Sequence, residues 1–154
     1  MGRAGVACDA GGVTTSPGTD HASVEHRLIT MRKAIGQLES LGPLSGERLG
    51  NDTTAGLVVE RILALLADLA FAINCEVSRS GRPETVAASF SVAGAAGLVD
   101  ADVVSALTPV EGPHHVLMQL SLDAEPDEAA VVVAGALAGY SEYVRQVTAW
   151  LARG

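Results

Sequence analysis

The chain has 154 residues, 48% of them hydrophobic, and a formal net charge of −8. This length fits one domain, and the composition allows a buried core. The charge is unevenly distributed, because no lysine or arginine lies between Arg82 and Arg145. The acidic residues of that span are Glu84, Asp100, Asp102, Glu111, Asp123, Glu125, Asp127, Glu128 and Glu142. A nucleic-acid-binding surface needs clustered cations, so we expect no nucleic-acid partner for this half of the chain.

The N-terminal residues lack the apolar segment of a signal peptide. No uncharged apolar run approaches the roughly 18 residues of a membrane span. The sequence therefore predicts a flexible tail over residues 1–21 and one domain over residues 22–154. It also predicts a cytoplasmic protein with no membrane partner.

Helical periodicity begins soon after residue 22. Apolar residues spaced four and three apart mark one helix face: Val24, Leu28, Met31, Ile35 and Leu38. Asp20 or Ser23 can cap this helix, and Gly42-Pro43 ends it. We interpret residues 43–51 as a loop.

A long second helix is predicted over residues 53–79, capped by Asp52 or Thr53. It carries two apolar stripes: Val58, Ile62, Leu65, Leu69 and Ala72, and Leu63, Leu66, Ala70, Ile73 and Val77. A helix that is apolar on two sides contacts neighbours on two sides, so we place it at the centre of a bundle.

The remaining segments are also helical in pattern. Shorter helices are predicted over about 84–96 and, capped by Asp100 or Asp102, as far as Leu107. A last helix is predicted over about 126–152. Gly135 and Gly139 each cost this last helix about 1 kcal/mol, which close helix packing inside the bundle or across a dimer would offset. No period-2 alternation persists, so the fold class is all-α, an antiparallel bundle of four or five helices.

Four segments together resemble the HepT-like proteins, formerly the DUF86 family, of the HEPN superfamily. They read GLVVERILALLADLAFAINCEVSRSGRPET, SFSVAGAAGLVDADVVSAL, HHVLMQLSLDAEPDEAAV and YSEYVRQVTAWL. The likeness covers about residues 24–152. It implies a two-fold dimer and, for typical members, an RNase toxin that is paired with a nucleotidyltransferase antitoxin.

The motif of that family contains an arginine that holds phosphate, a histidine that acts as acid or base, and a tyrosine that is modified. On this chain the resemblance aligns these positions with His114, Gln119 and Ser121, and His115 follows in the place of a common asparagine. Glutamine cannot transfer a proton near pH 7, and histidine is a poor substitute for a forked phosphate clamp. The sequence therefore predicts a degenerate motif without RNase activity.

His114 and His115 have two interpretations. They can begin a helix and face solvent or a partner chain, or they can line a cleft in which Glu111 or Asp123 orients one imidazole as acid or base. Arg61 could line the same cleft from the facing helix. Neighbouring helical residues point about 100° apart, so a shared metal ion is disfavoured; no metal or cofactor is predicted.

Three functions remain open at this point. The first is a non-catalytic homodimer that binds a protein or a small molecule. The second is a repurposed small-molecule enzyme that uses the apolar cleft near His114 and His115, for example in secondary metabolism. The third is a divergent RNase toxin of a toxin-antitoxin pair, which the acidic half of the chain disfavours.

Overall fold

The computed structural model describes residues 20–78, 81–108 and 126–153. Within these ranges the chain is helical and contains no β-strand, which confirms the all-α class. The helices are α1 (His21–Ser40), α2 (Gly46–Asn51), α3 (Thr53–Val77), α4 (Val86–Ala95), α5 (Ala101–Leu107) and α6 (Pro126–Arg153). The prediction of a loop over residues 43–51 was wrong for α2, whose six residues are too few to show a hydrophobic period.

Side-chain caps determine where five of these helices begin. Each cap is a serine, threonine or aspartate whose side-chain oxygen accepts a hydrogen bond from a backbone N–H three residues later, an arrangement that typically stabilises a helix by about 1 kcal/mol. The caps of α1 to α5 are, in order, Asp20, Ser45, Asp52, Thr85 and Asp100. Gly42 and Gly97 follow α1 and α4 with a φ of 81°, a conformation that glycine adopts without a steric penalty.

Helix α3 occupies a central position among the described helices. It packs against α1, α2 and α4, and more lightly against α6, which itself packs against α1, α2 and α5. The predicted stripe of α1 is buried throughout, from Val24 to Leu38. On α3 the stripe from Leu63 to Val77 is also buried.

The other predicted stripe of α3 is only partly covered. Ile62 is buried, but Leu65 is 39% exposed and the neighbouring Leu57 is 61% exposed. The expectation that both apolar stripes of α3 are buried was wrong at Leu65. The interpretation of α3 as a central helix rests instead on its packing against α1, α2, α4 and α6.

Two glycines of α6 differ in what surrounds them. A Cβ atom on Gly139 would lie 2.6 Å from Leu107 Cδ2, so glycine is what allows α5 to approach α6 at this point. A Cβ atom on Gly135 would have no atom of the described residues within 4 Å. Close packing inside the bundle, one of the two explanations proposed from the sequence, thus accounts for Gly139 and not for Gly135.

Candidate functional site

Most of the predicted site lies outside the described residues. This holds for Glu111, His114, His115, Gln119, Ser121 and Asp123. Arg61 is described, and its side chain is exposed on α3. The proposed cleft therefore stays a prediction.

The described core contains a polar network that joins three helices. The Tyr143 hydroxyl on α6 donates to Asn74 Oδ1 on α3 at 2.7 Å, and Asn74 Nδ2 donates to Ser89 Oγ on α4 at 2.9 Å. Ser89 Oγ in turn donates to the Val86 carbonyl at 2.7 Å. All three network side chains are completely buried. Satisfied buried networks of this kind favour one arrangement of the packed helices.

A second buried tyrosine has different surroundings. Tyr140 is 0% exposed, and its hydroxyl has no hydrogen-bond partner among the residues that the structure describes. Burial, together with the negative charge of Asp68, raises the pKa of Tyr140 well above its usual value. Burial also raises the pKa of Tyr143, with a further contribution from Tyr140. Both rings pack against Phe90, with centroids 6.5 and 5.7 Å away.

A groove lies between the start of α1 and the end of α6. Its volume is about 330 Å³, and its lining includes His21, Glu25, Leu28, Arg32, Thr148 and Leu151. The α1 members are spaced four, three and four residues apart, so they share one helix face. That spacing is visible in the sequence, but the sequence does not show that the end of α6 forms the opposite wall.

A second groove, of about 360 Å³, lies between α6 and the residues that precede α5. Its polar groups already bind each other. Gln146 Nε2 donates to Asp100 at 3.0 Å and to Glu142 at 2.8 Å, and Arg145 Nε donates to Glu142 at 2.9 Å. The hydrogen bonds from Arg145 and Gln146 lower the pKa of Glu142 to about 2. Asp100, Glu142 and Arg145 of this groove therefore have partners within the chain.

The described ranges contain no metal-binding cluster and no membrane-spanning helix. No group of three or more histidine, cysteine, aspartate or glutamate side chains is placed to hold a metal ion there. None of the helices in those ranges combines the length and apolar character needed to cross a membrane.

Comparison of the sequence with protein-family models and with curated proteins finds no match. The resemblance to HepT-like proteins therefore rests on the four segments and the motif positions given above, and it stays a prediction.

Proposed function

We propose that the chain is a non-catalytic binding protein of the HepT-like type, built on an RNase scaffold that has lost its cutting chemistry. The observation that carries this proposal is the set of residues at the motif positions, where His114, Gln119 and Ser121 replace arginine, histidine and tyrosine. RNA cleavage without a metal needs a proton carrier beside a cation that holds the phosphate. Gln119, at the position of the family's histidine, cannot transfer a proton near pH 7, and His114 is a poor substitute for the arginine that holds the phosphate.

Three arginines of the described residues are held by carboxylates, which agrees with this proposal. Arg27 pairs with Glu76 at 3.5 Å, Arg48 Nε lies 3.7 Å from Asp52, and Arg145 pairs with Glu142. Arginines that are held by carboxylates in this way offer little attraction to an RNA backbone.

The proposal is tested by incubating the purified full chain with single-stranded and structured RNA, with and without divalent metal. We expect both RNAs to stay intact, and we expect expression in a bacterial host to leave growth unaffected. Metal-independent cleavage that disappears in His114→Ala or His115→Ala would contradict the proposal and favour the toxin. Turnover of a small molecule by the wild type, lost in the same variants, would favour the enzyme.

We also propose that the chain forms a homodimer in the cytoplasm. The dimer is what the resemblance to HepT-like proteins implies, and Val131 on α6 and Leu57 on α3, which are 72% and 61% exposed, are candidate contact residues. Light scattering of the purified chain should give the mass of a dimer. Val131→Glu or Leu57→Glu should shift that mass toward the monomer, whereas a monomer at every concentration would contradict the proposal.

A further inference from the structure

We propose that the groove between α1 and α6 binds a small monocarboxylate with an apolar chain, its carboxylate on Arg32 and its chain on Leu151. The groove involves none of the motif positions, so this proposal is independent of the proposed function. Its volume of about 330 Å³ falls in the lower range of known small-molecule sites.

Arg32 supplies the cation. Its Nη2 donates to Thr148 Oγ1 at 2.7 Å, and that hydroxyl donates to the Val144 carbonyl at 2.7 Å. The guanidinium is thus held across the groove by a neutral group. It forms no ion pair with any carboxylate of residues 20–78, 81–108 and 126–153. The remaining N–H donors of the fork match the two oxygens of a carboxylate.

The apolar part of the groove lies N-terminal to Arg32 on the same face of α1. Leu28 is only 1% exposed, and Leu151 of α6 is partly buried within the core cluster. Because Leu28 is already buried, an alkyl chain that extends from Arg32 toward His21 would cover mainly Leu151. Each methylene that it buries contributes roughly 0.8 kcal/mol.

Glu25 disfavours ligands that carry a second negative charge. It lies seven residues before Arg32, which corresponds to about 10 Å along a helix at 1.5 Å per residue. A ligand with a carboxylate at each end, long enough to span the groove, would bring its far carboxylate toward Glu25. Like charges repel across the groove, and because Glu25 is exposed this repulsion should be strongest at low ionic strength. The groove therefore favours monocarboxylates over dicarboxylates of equal length.

Trp150 provides a reporter beside the groove. Its ring lies 5.5 Å from the ring of His21, a lining residue, and it is the single tryptophan of the chain. The full chain is titrated with octanoate, octanamide and suberate, and binding is followed by tryptophan fluorescence and calorimetry. We expect saturable binding of octanoate, with binding of the neutral amide and of the dicarboxylate about tenfold weaker or worse.

The variants separate the role of Arg32 from general electrostatics. Arg32→Gln should weaken octanoate binding about tenfold or more, and Thr148→Ala should weaken it less. Lys33→Gln removes the same charge from the next residue, which does not line the groove, and it should leave binding unchanged. Glu25→Gln should improve suberate binding and leave octanoate binding nearly unchanged.

Several outcomes would overturn the proposal. They are the absence of saturable octanoate binding up to its solubility limit, equal binding of octanoate and octanamide, and equal losses in Arg32→Gln and Lys33→Gln. Because the comparison of ligands uses the wild-type chain, the proposal stays testable even where a variant fails to fold. Circular dichroism of each variant verifies its helical fold.

Discussion

Tyr143 of α6 donates its hydroxyl hydrogen to Asn74 Oδ1 of α3 at 2.7 Å, with both side chains completely buried. The two residues are 69 positions apart in the chain. Elsewhere the contacts between α3 and α6 are few, so this hydrogen bond is a specific link between the central helix and the last one. Sliding either helix by one turn would leave two polar groups unpaired in the core, which is costly.

The two tyrosines provide a matched test of this link. Tyr143→Phe should lower the free energy of unfolding by about 1–3 kcal/mol, because it leaves Asn74 Oδ1 buried without that donor. Tyr140→Phe should be nearly neutral or slightly stabilising, because the Tyr140 hydroxyl has no partner among the described residues. Urea unfolding of both variants, followed by circular dichroism, measures the difference. Equal losses in the two variants would show that the Tyr143 hydrogen bond contributes nothing beyond the removal of a buried hydroxyl.

The raised pKa values of the same tyrosines predict how the free energy of unfolding changes at alkaline pH. Tyr140 and Tyr143 are the two tyrosines of the chain, and burial raises the pKa of both in the folded state. In the unfolded state they ionise near pH 10. Above that pH the unfolded chain binds fewer protons than the folded one, so the free energy of unfolding falls as pH rises. Below it, this contribution to stability is fully present.

The expected loss is about 1.4 kcal/mol per pH unit for each tyrosine, between pH 10 and the raised pKa of the folded state. Urea titrations at several pH values measure this loss, and absorbance near 295 nm detects tyrosinate directly. We expect tyrosinate to form only as the chain unfolds. Tyr140→Phe should remove about half of the slope. Ionisation of both tyrosines near pH 10 in the folded protein, before helicity is lost, would contradict this prediction.

The local pattern of the sequence predicted where the helices lie better than it predicted which helices pack against each other. The caps Asp20, Asp52 and Asp100 were among the candidates, because capping depends on residues within one turn. Helix α2 was missed since a six-residue helix is too short to show a hydrophobic period. Leu65 was expected to be buried, but the period of a helix does not reveal which of its apolar stripes another helix covers.

For the candidate sites, too, the sequence shows individual residues but not their partners in the fold. Asn74 stands within the apolar segment FAINCEV of α3, which is a visible anomaly, yet nothing local to it identifies Tyr143 as its partner. Likewise, Arg32 looks like an ordinary surface cation until α6 brings Thr148 within 2.7 Å of it. Interactions between residues that are distant in sequence decide both sites, and periodicity carries no information about them.

The glycines of α6 give a final prediction, in which two equivalent substitutions have opposite effects. Gly139→Ala should destabilise the chain by about 1–3 kcal/mol, because the new methyl group would lie 2.6 Å from Leu107 Cδ2 and 3.2 Å from Leu107 Cγ. Gly135→Ala adds the same atom four residues earlier, where none of the described residues lies within 4 Å. It should stabilise the monomer by up to about 1 kcal/mol, since alanine loses less backbone entropy in a helix.

Urea unfolding of both variants at low protein concentration measures these effects, and Gly139→Ala combined with Leu107→Ala serves as the control. The smaller side chain at 107 should remove most of the clash, so the effect of Gly139→Ala should shrink in that background. Equal effects in both backgrounds would show that Leu107 does not limit the approach of α5. If Gly135→Ala stabilises the dilute protein but weakens its self-association at higher concentration, Gly135 lies in the dimer contact, and the second explanation offered for this glycine from the sequence is the right one.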